Sequence, residues 1–224
     1  MNPVAGITVV AATVPFVPAQ RLRGSDIGLY EGMKTAMRSY DYEHRTGVEM
    51  INWNRFDQLC KALAEQLAAR KVEAIIGIAR AGLFPAVFLA YALRVELYPV
   101  RLTRRVNDEV KYTHPVWKVD VPADVEGQVV AVVDEIADTG ETLAIAAERV
   151  KERGALEVVT VSLVSHSWAK PKPDLTALVS DALVLFPWGR EVYDQKEWRP
   201  NPELAHALKL QERNAKTQAK KWQE

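Results

Sequence analysis

Apolar positions first fall into a regular spacing at Phe56, Leu59, Cys60, Leu63 and Leu67. That period predicts an amphipathic helix with either Asn52 or Asn54 as its N-cap. The pattern then changes. Ala74-Ile75-Ile76-Gly77-Ile78-Ala79 is a continuous apolar run, as in a strand covered on both faces of a parallel sheet. An Ala- and Leu-rich helix is predicted over 84–94 and a strand over Glu96–Leu102. Val129–Val133 is the next buried strand, Glu141–Arg153 a helix with Gly154 suited to its C-cap, and Val158–Val164 a further strand. Strands alternating with helices predict an α/β fold, an open parallel sheet flanked by helices and joined by right-handed crossovers.

The remaining stretches depart from this rhythm. Residues 1–48 hold a strand-like run, Ile7–Val14, but otherwise lack a period. They are read as an N-terminal extension that packs either on the main domain or on a neighbouring subunit. Residues 103–127 are polar and aperiodic, and a loop of that length inside a compact domain is functional or disordered. Residues 165–200 contain two short apolar runs, Leu175–Val179 and Leu183–Phe186, among prolines at 171, 173 and 187. They are read as a small cap, or hood, beside the carboxyl edge of the sheet. The main domain then spans 49–200. The tail, 201–224, is expected to be a polar helix that covers the domain or helps a dimer form.

Composition narrows the function classes. The 224 residues suit one domain of ordinary size, and Lys plus Arg equals Asp plus Glu at 29 each. A chain without net charge lacks the broad positive field of a non-specific nucleic-acid binder. Pro15 and Pro18 interrupt the apolar start, and no run reaches the length of a membrane span, so the expected location is the cytoplasm. Cys60, the single cysteine, cannot form an intramolecular disulfide and reads as a small buried hydrophobe.

The chemistry is concentrated in Val129-Val130-Ala131-Val132-Val133-Asp134-Glu135-Ile136-Ala137-Asp138-Thr139-Gly140-Glu141-Thr142-Leu143. A buried strand ends in two carboxylates, a tight turn follows, and a helix begins. Ligands of open α/β sheets bind at this edge. A helix start offers free N–H groups and the positive end of a dipole, which together hold a phosphate. Thr139 and Thr142 add hydroxyls, and Gly140 lets the backbone approach. Asp134 and Glu135 repel phosphate but suit vicinal ribose hydroxyls and Mg²⁺ with its water shell. One loop therefore asks for a ligand with a phosphate, a diol and a metal.

This run resembles the 5-phosphoribosyl-1-pyrophosphate signature of the type I phosphoribosyltransferases. A second segment, Ile76-Gly77-Ile78-Ala79-Arg80-Ala81-Gly82-Leu83-Phe84-Pro85, resembles the pyrophosphate loop of the purine-salvage (hypoxanthine/guanine/xanthine) branch, with Ala81 in place of the usual first glycine. The resemblance implies a non-proline cis peptide in that loop. It also implies pyrophosphate contacts from Arg80, Ala81 and Gly82, and a phosphate cradle made by Ala137 to Thr142. By the same resemblance residues 103–127 are a mobile loop over the reacting centre, with Arg104, Arg105, Lys111 and Tyr112 available to pyrophosphate.

The implied reaction transfers the phosphoribosyl group to a nitrogenous base with Mg²⁺ as cofactor. Asp134 and Glu135 serve metal and ribose, and Asp138 lies near the nucleophilic nitrogen as general base, as helix N-cap, or as both. The base pocket departs from the branch. His166 stands where a lysine is expected and Leu183 where a stacking aromatic is expected, leaving Trp168 or Trp188 to stack from another direction. These departures keep open a second expectation, a regulatory protein that binds phosphoribosyl pyrophosphate or a nucleotide without transferring a base. A homodimer is the family expectation.

Overall fold

The computed structural model describes residues 45, 47–106, 109–202, 204, 207–209 and 211. The strand-like Ile7–Val14 and the rest of the extension up to residue 44 lie outside the described residues.

The chain runs β1 (Val48–Met50), α1 (Trp53–Ala69), β2 (Ala74–Ile78), α2 (Leu83–Leu93), β3 (Glu96–Thr103), β4 (Arg105–Val106), β5 (Glu109–Val110), β6 (Val116–Val119), β7 (Val129–Ala137), α3 (Glu141–Glu152), β8 (Glu157–Ser165), β9 (Leu175–Val179), β10 (Leu183–Leu185), β11 (Glu191–Asp194) and β12 (Glu197–Pro200). Asn52 caps α1, its side chain accepting from the Arg55 amide at 2.8 Å. All five of the periodic apolar residues of α1 are buried, Cys60 among them. Burial also pushes the Cys60 thiol up to about 12, so it stays protonated.

The main sheet has the order β6-β3-β2-β7-β8-β9. All its pairings are parallel except β3 with β6. Alternate residues of the central strands feed two cores. Ile75, Ala131 and Val133 face α1 and α2, whereas Ile76, Val130 and Val132 pack with Leu143, Ala146 and Val150 of α3. Fully burying a side chain of this size contributes about 1.5–3 kcal/mol, which explains why the runs are continuous rather than alternating.

Order within the sheet fixes where a ligand can sit. From β2 the chain moves outward to β3, then crosses back to β7 on the opposite side of β2. The crevice at the carboxyl ends of β2 and β7 is the switch point of the topology, the usual ligand site of open α/β sheets.

Several expectations are corrected. Residues 103–127 are not a plain loop: they contain the antiparallel pair β4–β5 and the edge strand β6, and the side chains of β6 are half-buried or exposed and so leave little apolar signal. Leu175–Val179 does not belong to a cap. As β9 it pairs parallel with β8 and closes the edge of the main sheet. Val48–Met50 pairs with Leu183–Leu185 as a separate two-stranded sheet. Residues 202, 204, 207–209 and 211 have helical backbone, and Leu204, Ala207 and Leu208 pack on Leu183 and Leu185. Among the described residues, no helix is long and apolar enough to cross a membrane.

Candidate active site

The turns after β2 and β7 press against each other. A Cβ on Gly82 would lie 2.6 Å from the Ile78 carbonyl oxygen, 2.7 Å from Asp134 Oδ1 and 2.9 Å from Asp134 Cα. Only a residue without a side chain fits between the two strand ends. The Ala79–Arg80 peptide is cis, as the resemblance implied, and Arg80 is exposed on this turn with Ala81 half-buried beside it.

β7 continues through the acidic pair to Ala137 rather than stopping at Val133. Asp134 is buried, and its Oδ1 accepts from the Glu135 amide at 3.0 Å. Burial first, and the neighbouring Glu135 carboxylate second, hold Asp134 well above the usual carboxylate range. Glu135 is half-buried and lines the adjacent cavity.

The turn from Asp138 to Gly140 leads into α3. Gly140 is the N-cap at φ +85°, and Thr139 Oγ1 accepts from the Glu141 amide at 3.3 Å. Asp138 is therefore not the cap. The first-turn amides of α3 have no partner within the helix, and Thr142 lies in that turn. The segment after β8 buttresses the turn: the Lys170 amide donates to the Thr139 carbonyl at 2.8 Å, and a Cβ on Gly140 would collide with the Pro171 carbonyl. His114 Nδ1 lies 2.9 Å from Glu141 Oε1, so the 103–127 segment touches the start of α3.

Beside the acidic pair lies a cavity of about 250 Å³ whose walls include Arg45, Glu135, Asp138, His166, Leu183 and Phe186. Both Asp138 donors share one oxygen: Oδ1 accepts from Arg45 Nη2 at 3.0 Å and from Trp168 Nε1 at 3.4 Å. The Arg45 guanidinium sits 4.9 Å above the Trp168 ring, and that ring stacks on His166 at 4.5 Å. Arg45 Nη1 is buried and has no hydrogen-bond partner among the described residues. A desolvated donor left in that state costs about 1–3 kcal/mol.

His166 is 2% exposed, and its Nδ1 pairs with the Ser180 carbonyl. A carbonyl only accepts, so Nδ1 carries the proton. Burial, then the charge of Arg45, lowers the imidazole pKa and keeps the ring neutral at neutral pH. Nε2 is left as a hydrogen-bond acceptor.

The structure brings Asp134, Glu135, Asp138 and the turn into α3 together with Arg80, His166 and Leu183 at one sheet edge. Trp188 also lines the cavity. Its ring lies parallel to Phe84 at 4.2 Å and to Phe186 at 4.8 Å, so phenylalanines take up its faces. Trp188→Ala is accordingly expected to lower unfolding stability by about 3 kcal/mol while leaving the preference among bases unchanged, as read by denaturant melts and relative kcat/KM. Arg104 and Lys111 lie on the β4–β5 arm, where the Lys111 amide donates to the Arg104 carbonyl at 2.8 Å, and neither lines the cavity. Arg45 was missed from sequence, since no period or motif surrounds it.

Residues 49–195 match the family described as the phosphoribosyl transferase domain. The chain belongs to this family. This phosphoribosyltransferase is 29% identical over 145 residues to a xanthine-guanine phosphoribosyltransferase of Idiomarina loihiensis, covering 64% of this chain and 88% of the relative. An adenine phosphoribosyltransferase of Clostridium botulinum is 33% identical over 109 residues, covering 46% of this chain and 63% of the relative. Among solved structures, a purine phosphoribosyltransferase from Pyrococcus horikoshii superposes with a TM-score of 0.57 at 32% identity, covering 63% of this chain and 93% of that one. As a phosphoribosyltransferase the chain is a pentosyl-group transferase, with a mostly parallel sheet flanked by helices.

Proposed function

We propose that this phosphoribosyltransferase moves the 5-phosphoribosyl group from phosphoribosyl pyrophosphate to a purine base, giving a nucleoside 5′-monophosphate and pyrophosphate. The observation that carries this reading is the junction at one switch point of an acidic strand end, a helix-start turn and an adjacent open cavity. The 5′-phosphate sits on the turn Ala137 to Thr142, where hydrogen bonds to a charged group are worth about 1.5–3 kcal/mol each. Glu135 and Asp134 take the ribose hydroxyls. Arg80 and the amides of Ala81 and Gly82 face the pyrophosphate.

Among the described residues, no group of three or more His, Cys, Asp or Glu side chains could hold a metal ion. The donor set at the site is the single carboxylate pair. This fits Mg²⁺, which is bound through one or two carboxylates together with substrate phosphates and water, not in an all-protein cage. Asp134 and Glu135 would hold it, and the ion would supply charge neutralisation for the departing pyrophosphate.

In the transfer, the C1–oxygen bond to pyrophosphate breaks and a C1–nitrogen bond to the base forms. A purine carrying its imidazole proton on N7 has a free lone pair on N9 for the attack. Asp138 Oδ2, the oxygen not engaged by Arg45 or Trp168, accepts the N7 proton as the new bond forms. The protein otherwise positions the reactants and keeps water away from the ribosyl centre. The segment 103–127, tied to the phosphate turn through His114 and Glu141, is assigned to that exclusion.

The test is a panel of nucleobases with Mg²⁺ and phosphoribosyl pyrophosphate, followed by pyrophosphate release. Turnover with at least one purine is expected. Silence across oxo- and aminopurines alike would sink the transfer reading.

A further inference from the structure

Arg45 lies upstream of the family match, which begins at residue 49, yet its side chain reaches Asp138. We propose that Arg45 is a positioning residue of the transfer: it locks the Asp138 carboxylate so that Oδ2 alone is turned to the base. This deepens the proposed transfer and rests on it.

The lock is anchored on the far side of the site. The Leu183 amide donates to the Gly47 carbonyl at 2.9 Å, and Val48 pairs with Leu183, so the chain beside Arg45 is fixed to β10 and not to the turn that Arg45 reaches. Arg45 Nη2 donates to Asp138 Oδ1 at 3.0 Å, from a side chain only 7% exposed. Trp168 Nε1 donates to the same oxygen at 3.4 Å. The guanidinium lies 4.9 Å from the Trp168 ring, and that ring is itself stacked on His166. Two donors from separate segments therefore hold one oxygen. A carboxylate free to turn would offer either oxygen to a ligand, whereas this one offers Oδ2.

Packing alone does not account for an arginine here. Exposed ion pairs contribute little to stability, and a buried guanidinium must first be desolvated. Nη1 is buried without a partner among the described residues, so the desolvation is not fully offset. An apolar side chain of the same length would fill the space without that cost. What it could not do is fix Oδ1. The reaction uses that fixity. As N9 bonds to C1, the purine gains positive charge and its N7–H becomes a strong donor. The proton passes to Oδ2 and its electron pair stays on N7. A carboxylate held at the right place also stabilises the developing cation before the proton moves.

The test uses the full chain as wild type, Arg45→Met, Arg45→Lys, Asp138→Asn and the Arg45→Met/Asp138→Asn double variant, each checked for a cooperative thermal transition. Arg45→Met keeps the aliphatic stem and removes the charge and the donors. With the purine that wild type uses best, it is expected to lower kcat roughly 10- to 100-fold with KM for phosphoribosyl pyrophosphate within about threefold, and Arg45→Lys to restore part of the loss. Added to Asp138→Asn, the same change is expected to lower kcat by less than about threefold, because the group it positions is already gone. A second readout needs no turnover. Arg45 and Trp168 only donate, so in Asp138→Asn the amide oxygen takes the place of Oδ1 and the NH₂ is turned to N7, which is a bare acceptor in a nucleotide. Inosine and adenosine 5′-monophosphates, titrated by calorimetry, are expected to bind Asp138→Asn roughly tenfold more tightly than wild type and to lose that gain in the double variant. An unchanged kcat in Arg45→Met, or equal losses of kcat in the two backgrounds, overturns the proposal and leaves the transfer standing. So does a nucleotide gain that is absent or that survives without Arg45. A gain that depends on Arg45, with no base turned over by wild type, would instead sink the transfer reading and leave Arg45 in its role.

Discussion

Asp134→Asn combined with Glu135→Gln is expected to weaken Mg²⁺-phosphoribosyl pyrophosphate binding by at least about 100-fold while raising, not lowering, thermal stability. The two effects have one origin. Asp134 is buried, and its carboxyl is held well above the ordinary range by desolvation and then by Glu135. Below the unfolded-state value of 3.8, folded and unfolded forms are both protonated and the group has no effect on stability. As pH rises past that value the unfolded chain releases its proton first, so folding loses free energy until the raised folded value is reached. A neutral amide pair removes that penalty, and it also removes the carboxylates proposed to serve ribose and metal. Calorimetric titration with the donor and melting curves between pH 4 and pH 8 check both halves. An unchanged donor affinity would show that these acids do not hold it. A melting temperature that falls across the whole range would show that they support the fold.

Gly140→Ala is expected to remove phosphate binding at the same turn. Gly140 has φ +85°, a region that costs a side chain about 1–3 kcal/mol, and its Cβ would also collide with the Pro171 carbonyl. The clash involves backbone, so the turn itself must shift away from the segment after β8. Gly127→Ala is the control. Its φ is +73°, but a Cβ there meets nothing within 4 Å. Strain alone therefore lowers the stability of the Gly127 variant and leaves donor affinity intact, whereas the Gly140 variant is expected to lose both. Equal donor affinity in the two variants would mean that the turn does not cradle a phosphate.

Much of the scaffold was legible because its strands are buried on both faces. Ala74–Ile78 and Val129–Val133 read as apolar runs for that reason, and α1 showed its single buried stripe. The turn Asp138–Gly140 was legible because acids, threonines and a glycine between an apolar strand and a helix make a recognisable run. β6 and the β4–β5 arm were not, since strands on the sheet edge and outside it have no continuous apolar face. Leu175–Val179 looked the same as a cap strand, because burial on one side leaves the same short run wherever the strand pairs. Trp188 was ambiguous for a different reason: only the parallel placement of Phe84 and Phe186 tells which partners its ring faces meet. Arg45 could not have been found at all, because a single guanidinium in an aperiodic stretch has no signal until the fold returns it to Asp138.

The cavity draws its walls from both ends of the described chain, Arg45 on one side and Leu204 with Ala207 on the other, while the phosphate turn and the acidic pair come from the middle. Glu135 and Asp138, from that middle stretch, line the same cavity, so on the proposed reading sugar and acceptor share a wall. A substitution at Asp138 would then be felt on both sides of that wall, whereas one at Leu204 or Ala207 would reshape the cavity alone.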